Sequence, residues 1–390
     1  MSPKTHGSSP RKERLIGLDL LRLAAIVLVL GRHLPDPPSD WPDWARSGIL
    51  TWIRGGWIGV DLFFVLSGFL VSGLLFAEHK TTGKLGIGRF YMRRAWKIYP
   101  PFFAMIFATM ALGMTRGTPM PTSSIVSEML FLQSYIKGLW LHTWSLAVEE
   151  HFYLLIPLVL AVLTKMNRTS PTPLRPLVWI IPVIGLASLG IRMLTWHLIP
   201  SFGLFTHMFQ SHLRFDSLAF GVAISYAYHF HHDWFTHSLE PFHRGFFWIG
   251  ILLLTPAFIF PVESTPWMTT VGFTLFYLAS GLLLTGTLLS KLPTQGLLNF
   301  LATIGAYSYS IYLWHAAVLI WGVPICEKFL KMAGLGLTYG LVMAIYFGGS
   351  IGFGMVMAKV IENPSLKLRD LLFPSRGPNA LETGMTSKRS

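Results

Sequence analysis

The sequence predicts an all-α fold: a polytopic membrane helical bundle of about ten transmembrane helices, with both termini on the cytoplasmic side. Three observations carry this prediction. Hydrophobic residues make up 52% of the 390-residue chain and charged residues 13%, about half the ~25% charge usual in soluble globular proteins. Ten apolar stretches approach the roughly 20 residues that a bilayer core requires. The 31 Lys and Arg exceed the 18 Asp and Glu, for a formal net charge of +13. They sit in short clusters between the apolar stretches, not in the polar stripe of a nucleic-acid-binding protein, so no nucleic-acid partner is expected. The 14% aromatic content excludes intrinsic disorder. A single cysteine, Cys326, excludes a disulfide scaffold.

The first stretch, 15–34, has too long an apolar core for a cleavable signal peptide and no small-residue cleavage site after it. The second, 56–76, contains Gly59, Gly68 and Gly73, which allow close helix approach. The third, 98–115, and the seventh, 246–261, are short and contain or border prolines. The others are 144–164, 177–198, 213–230, 269–290, 297–321 and 336–360. With the N-terminus inside, the inner loops and tails hold 20 Lys and Arg and the outer loops six. That bias supports an even number of spans with both ends in the cytoplasm. The domain reading is a cytoplasmic tail at 1–14, a transmembrane domain at 15–362, and a cytoplasmic, partly disordered tail at 363–390.

Ionisable residues inside a membrane are costly and mark function by default. Arg22 and His33 are eleven residues apart, about 20° past three full turns, so they share a helix face at ~16 Å separation. The alternative is that Arg22 pairs with Asp19 and that His33 is an ordinary interfacial residue. The topology gathers His33, Asp61, Glu149, Glu150, Arg214, Asp216 and His315 near one outer depth. A carboxylate beside a histidine fixes its tautomer and raises its basicity, as general-base chemistry requires. An intrahelical Arg214–Asp216 pair and a tyrosine-bonded structural His315 are the plainer readings of those residues. On the inner side, Arg89, Arg93, Arg94 and Lys97 alternate with aromatic residues in RFYMRRAWKIYPP. Positive-inside topology explains this cluster, and so does a site for a phosphate-rich ligand. His229, His231, His232, His237 and His243 match no strong metal-ligand spacing, and no metal is expected. No phosphate-binding glycine loop and no nucleophile elbow is present.

Seven pieces in this order resemble the acyltransferase 3 family of bacterial membrane acyltransferases. They are GLDLLRLAAIVLVLGRH, GVDLFFVLSGFLVSG, FYMRRAWKIYP, WSLAVEEHFYLLIP, RFDSLAFG, YSYSIYLWH and the ENP at Glu362, and they cover roughly positions 14–370. The resemblance implies ten spans in a bacterial (inner) membrane. It also implies O-acyl transfer from cytosolic acyl-CoA, usually acetyl-CoA, to a hydroxyl of a carbohydrate or glycoconjugate. The family's Arg and His separated by ten residues match Arg22 and His33. Its Arg-x-x-Arg element falls on Arg94 and Lys97, so the second arginine is a lysine here. Lysine neutralises a phosphate but cannot form a bidentate fork, and Arg93 is a candidate to share the work. His151 stands where the family's motif usually has glutamine. The chain ends about 30 residues after its last apolar stretch, so it is expected to act alone or with separate partners.

The expected mechanism binds acyl-CoA phosphates on Arg93, Arg94 and Lys97 and threads the pantetheine arm past Arg22. His33, oriented by Glu149 or Glu150, with Asp61 nearby, deprotonates an extracytoplasmic hydroxyl. Arg214, Asp216, Tyr312, His315 and Trp144 are the acceptor-site candidates, and the outer tryptophans offer faces for sugar rings. The rival reading is a proton-coupled transporter or a flippase of a lipid-linked sugar, for which intramembrane His, Asp and Glu also suit. The acceptor, the acyl-chain length, direct transfer against a covalent acyl-enzyme, and homo-oligomer formation stay open. Membrane lipids are the remaining expected partners.

Overall fold

The computed structural model describes residues 10–374 apart from residue 294. Among the described residues the regular elements are helical and no strand occurs. Residues 1–9 of the expected N-terminal tail and 375–390 of the expected C-terminal tail lie outside them. Helix α1 (Pro10–Arg32) carries the first apolar stretch, and His33 follows in a turn. The expected loop at 35–54 contains a helix, α2 (Asp43–Gly55). Its apolar residues recur at helical spacing between charged ones. A 3-10 turn leads into α3 (Gly59–Thr82), which ends at Gly83 with φ 68°, a left-handed position that favours glycine.

Helix α4 (Ile87–Thr115) starts well before the apolar stretch at 98 and keeps Pro100 and Pro101 inside it. Arg, Met, Ala and Lys favour helix, so the basic segment continues the span inward. After the short α5 (Thr122–Met129) come α6 (Trp144–Met166), α7 (Leu177–Leu198) and α8 (Phe215–Phe230). The histidine-rich segment read as a loop folds as α9 (His232–Leu239). It continues through α10 (His243–Leu254) and α11 (Pro256–Ile259) as one interrupted helical run. Helix α12 (Phe273–Leu289) follows. The ninth stretch breaks at Tyr307 into α13 (Leu297–Ala306) and α14 (Ser308–Ala317). A π-helical turn at Val318–Gly322 joins α14 to α15 (Val323–Met332). Helix α16 (Tyr339–Met357) runs through a second such turn into α17 (Asn363–Leu372), so the expected boundary at 362 falls within continuous helix.

Among the described residues, eight helical segments are long and apolar enough to cross a membrane. Helices α1 and α8 occupy two further stretches expected to span. Glycines set the closest crossings. A Cβ on Gly68 of α3 would overlap the Leu218 carbonyl of α8, and one on Gly305 of α13 would overlap the Asp19 carbonyl of α1. Small residues at such crossings are how membrane helices pack without a hydrophobic driving force. The Gly305 contact seats α1 against α13, and so brings the end of α1 near α14.

Candidate active site

Two layers of polar groups lie along one axis of the bundle. The first lines a cavity of about 480 Å³ walled by α1, α3, α4, α6 and α14. Arg22, Arg94 and Lys97 face it, together with Glu149, Glu150 and Glu362. The three carboxylates are held by hydroxyls. The Tyr153 hydroxyl donates to Glu149 Oε2 (3.0 Å), Tyr99 to Glu150 Oε2 (3.1 Å) and Ser310 to Glu362 Oε2 (2.6 Å). The Ser67 hydroxyl bonds that of Tyr153. Arg22 pairs with Asp19 at 2.5 Å, the plainer reading of that residue. Among the described residues no carboxylate lies within ion-pairing distance of Arg94 or Lys97. The Arg94 guanidinium sits 4.6 Å from the centroid of the Tyr153 ring, and its Nε is buried without a partner. An orphaned guanidinium nitrogen beside a free ammonium, over an open cavity, is a donor set suited to phosphate oxygens.

The expectation that Glu149 and Glu150 orient His33 does not match this geometry: both acids line the cavity with the cations. The cause is the early start of α4. Lys97 lies ten residues into that helix, roughly 15 Å from its beginning, and so reaches the depth of the α6 acids. Arg93 also departs from its expected place. It turns outward to Asp370 (3.1 Å) and the Phe373 carbonyl, which hold α4 to α17.

The second layer is a histidine group behind the far wall of the cavity. The Tyr312 hydroxyl, on that wall, donates to the His142 carbonyl (2.6 Å) and bonds Ser145 Oγ (2.6 Å). Beyond it the rings of His33 and His315 lie 5.0 Å apart, and those of His142 and His315 4.8 Å apart. His315 Nδ1 contacts the Tyr312 carbonyl at 2.5 Å and His142 Nε2 the Leu313 carbonyl at 3.2 Å. A carbonyl only accepts, so these contacts fix both tautomers with the N–H on the bonded nitrogen. His315 Nε2 is then a buried acceptor without a partner. His142, Ser145, Tyr153 and Ser67 were not singled out from the sequence. The available signal for His142 was its place in HTWSLAVEE, one turn above Ser145 and at the depth already assigned to His33 and His315.

Four further candidates lie elsewhere. Asp61 takes Arg214 at 2.6 Å, and Asp216 takes Arg192 at 2.8 Å. The expected Arg214–Asp216 pair is therefore replaced by two crossed pairs joining α3, α7 and α8. Arg214 also stacks 3.7 Å from the centroid of the Phe273 ring. All four are buried and none lines the cavity. Trp144 is buried in a stack on Phe209 at 4.5 Å, so its face is already covered and offers no platform for a sugar.

A helical bundle with a cationic cavity on one side of a Tyr312–Ser145 wall and buried histidines on the other defines a class: a multi-pass membrane protein with a polar site inside its bundle. The profile of a family described as an acyltransferase domain matches residues 15–359, and the chain belongs to that family. Relatives include an O-acetyltransferase OatA of Staphylococcus aureus, 27% identical over 342 residues, 80% of this chain and 51% of that one. A peptidoglycan O-acetyltransferase OatA of Listeria monocytogenes is 27% identical over 343 residues, 80% of this chain and 50% of that one. The chain spans about half the length of the curated relatives it matches. No solved structure matches it. Its helices and its family make it a multi-pass bacterial membrane protein.

Proposed function

We propose that this protein is an O-acyltransferase that moves an acyl group, most simply acetyl, from acyl-CoA to a hydroxyl of a cell-envelope carbohydrate. The observation that carries this reading is the unpaired Arg94–Lys97 set at the cavity, one wall away from His33. Arg94 and Lys97 bind donor phosphates, and Arg22 lies along the path of the pantetheine arm. The thioester comes to rest at the wall formed by Ser145 and Tyr312. There the Tyr312 hydroxyl, turning its single proton away from the His142 carbonyl, donates to the tetrahedral oxyanion. His33 acts as general base on the acceptor hydroxyl. Its ring lies against that of His315, with centroids 5.0 Å apart. Family membership and the two O-acetyltransferase relatives support the reaction class.

The test is reconstitution in vesicles with radiolabelled acetyl-CoA and a peptidoglycan-like glycan acceptor, following label transfer and CoA release. His33→Ala is expected to lower kcat about 100-fold or more. Arg94→Ala or Lys97→Ala is expected to raise the acetyl-CoA KM about 10-fold or more with a smaller effect on kcat. Wild-type turnover in His33→Ala would remove the base assignment. Unchanged KM in both cation variants would remove the donor site.

A further inference from the structure

A second group of reactive side chains lies outside the central cavity. Ser211 opens the 3-10 turn Ser211–Leu213 that precedes α8. Its Oγ is 2.7 Å from His151 Nδ1 and 3.0 Å from Ser134 Oγ. The backbone carbonyl of Phe131 lies beside the His151 ring. Phe131 is the one non-glycine residue with positive φ among the described residues, at 55°. It is held there by stacking on Phe102, with ring centroids 4.6 Å apart. A bulky residue in the left-handed region persists only where its surroundings over-determine it. Here that conformation aims a carbonyl at a histidine.

Ser211 and Ser134 are buried, whereas His151, Tyr135 and His212 are partly exposed. The Tyr135 and His212 rings stack at 5.8 Å, with the Tyr135 hydroxyl 3.1 Å from His212 Nδ1. The buried serines therefore lie next to partly exposed rings. His151 is also the residue at which this chain departs from the motif it resembles.

We propose that Ser211 is a nucleophile activated by His151 and that it takes up an acyl group from an ester or thioester. In this arrangement the Phe131 carbonyl holds the imidazole N–H, Nδ1 accepts from the Ser211 hydroxyl, and the Ser134 hydroxyl donates to the Ser211 oxygen. Nucleophile, base and orienting group thus stand in the order that activates a serine. Ser211 Oγ attacks the acyl carbonyl carbon while its proton passes to His151 Nδ1. The new Oγ–C bond forms, the bond to the leaving oxygen or sulfur breaks, and the leaving group takes the proton from His151. A carbohydrate hydroxyl resolves acyl-Ser211 by the reverse sequence: His151 removes its proton, and the Ser211 oxygen leaves with that proton. The acyl class rests on the function proposed above, and the serine–histidine pair rests on its own geometry.

The experiment incubates the full chain in detergent micelles with p-nitrophenyl acetate, follows p-nitrophenolate release, and locates acetyl groups by peptide mass spectrometry. Acetyl-Ser211 is expected. His151→Gln should slow its formation about 100-fold, Ser211→Ala should abolish it, and Tyr135→Ala should speed it by uncovering the serine. Absence of acetyl-Ser211 in both the wild type and Tyr135→Ala overturns the proposal, as does an equal rate in His151→Gln. The acetyl-CoA transfer assay runs beside it. Transfer without acetyl-Ser211 in either protein defeats this site alone. Acetyl-Ser211 without CoA-dependent transfer supports the site and defeats the function proposed above.

Discussion

Asp61 shows how one residue's meaning depends on its partner. Its depth in α3 made it a candidate for catalysis, but its carboxylate is 2.6 Å from Arg214 and both are buried. Removing one member of a buried pair strands the other charge and costs about 3–5 kcal/mol, whereas replacing both with apolar residues is often neutral. Asp61→Asn is therefore expected to lower the melting temperature in detergent steeply, and Asp61→Leu with Arg214→Met to restore much of it. Wild-type melting in Asp61→Asn with turnover lost would return Asp61 to the chemistry. The sequence revealed that these groups were unusual but not how they paired. The Asp61–Arg214 contact spans 153 positions, and helical periodicity carries no information about which helix lies opposite.

At the scale of the element, the segment between α5 and α6 sets the position of His142. Glu128, near the end of α5, accepts from the Trp140 N–H (3.0 Å) and the Thr143 hydroxyl (2.9 Å), which bracket that histidine. Burial pushes the Glu128 carboxyl up from 4.5 to about 7, outweighing the donors that favour its ionised form. A carboxyl with a raised folded-state pKa holds its proton better folded than unfolded. Its contribution to stability is complete below about pH 4.5, falls as pH rises, and is gone above about pH 7. The expected loss is on the order of 3 kcal/mol. Melting of the wild type should drop between about pH 4.5 and about pH 7 relative to Glu128→Gln, and parallel pH profiles for the two proteins would contradict this. The spans themselves were legible because composition alone marks them. Helix α2 and the early start of α4 were not, because charged residues interrupt their apolar pattern and only packing decides whether such segments stay helical. That early start moved Lys97 to the depth of Glu149 and Glu150, and so merged two groups that loop charges had placed on opposite sides.

Across the whole molecule, function depends on which side of the membrane each layer faces. If acyl-CoA is cytosolic, the Arg94–Lys97 cavity must open inward and the histidine group must lie toward the outer surface. The loop bias of 20 Lys and Arg against six predicts this orientation, and the chain carries its own reporter. Cys326 is its single cysteine and is partly exposed on α15. It lies past His315 on the same helical run, Ser308–Met332. An N-in arrangement therefore places it at the outer surface, on the acceptor side of Tyr312. A membrane-impermeant maleimide added to intact cells is expected to label the wild type and not Cys326→Ser. The signal should also disappear when an impermeant blocking thiol reagent is added from outside beforehand. Labelling confined to inverted vesicles would reverse the topology. It would put the histidines at the cytosolic face and require acyl-CoA to approach from the side of His33, which is incompatible with Arg94 and Lys97 as its phosphate anchors.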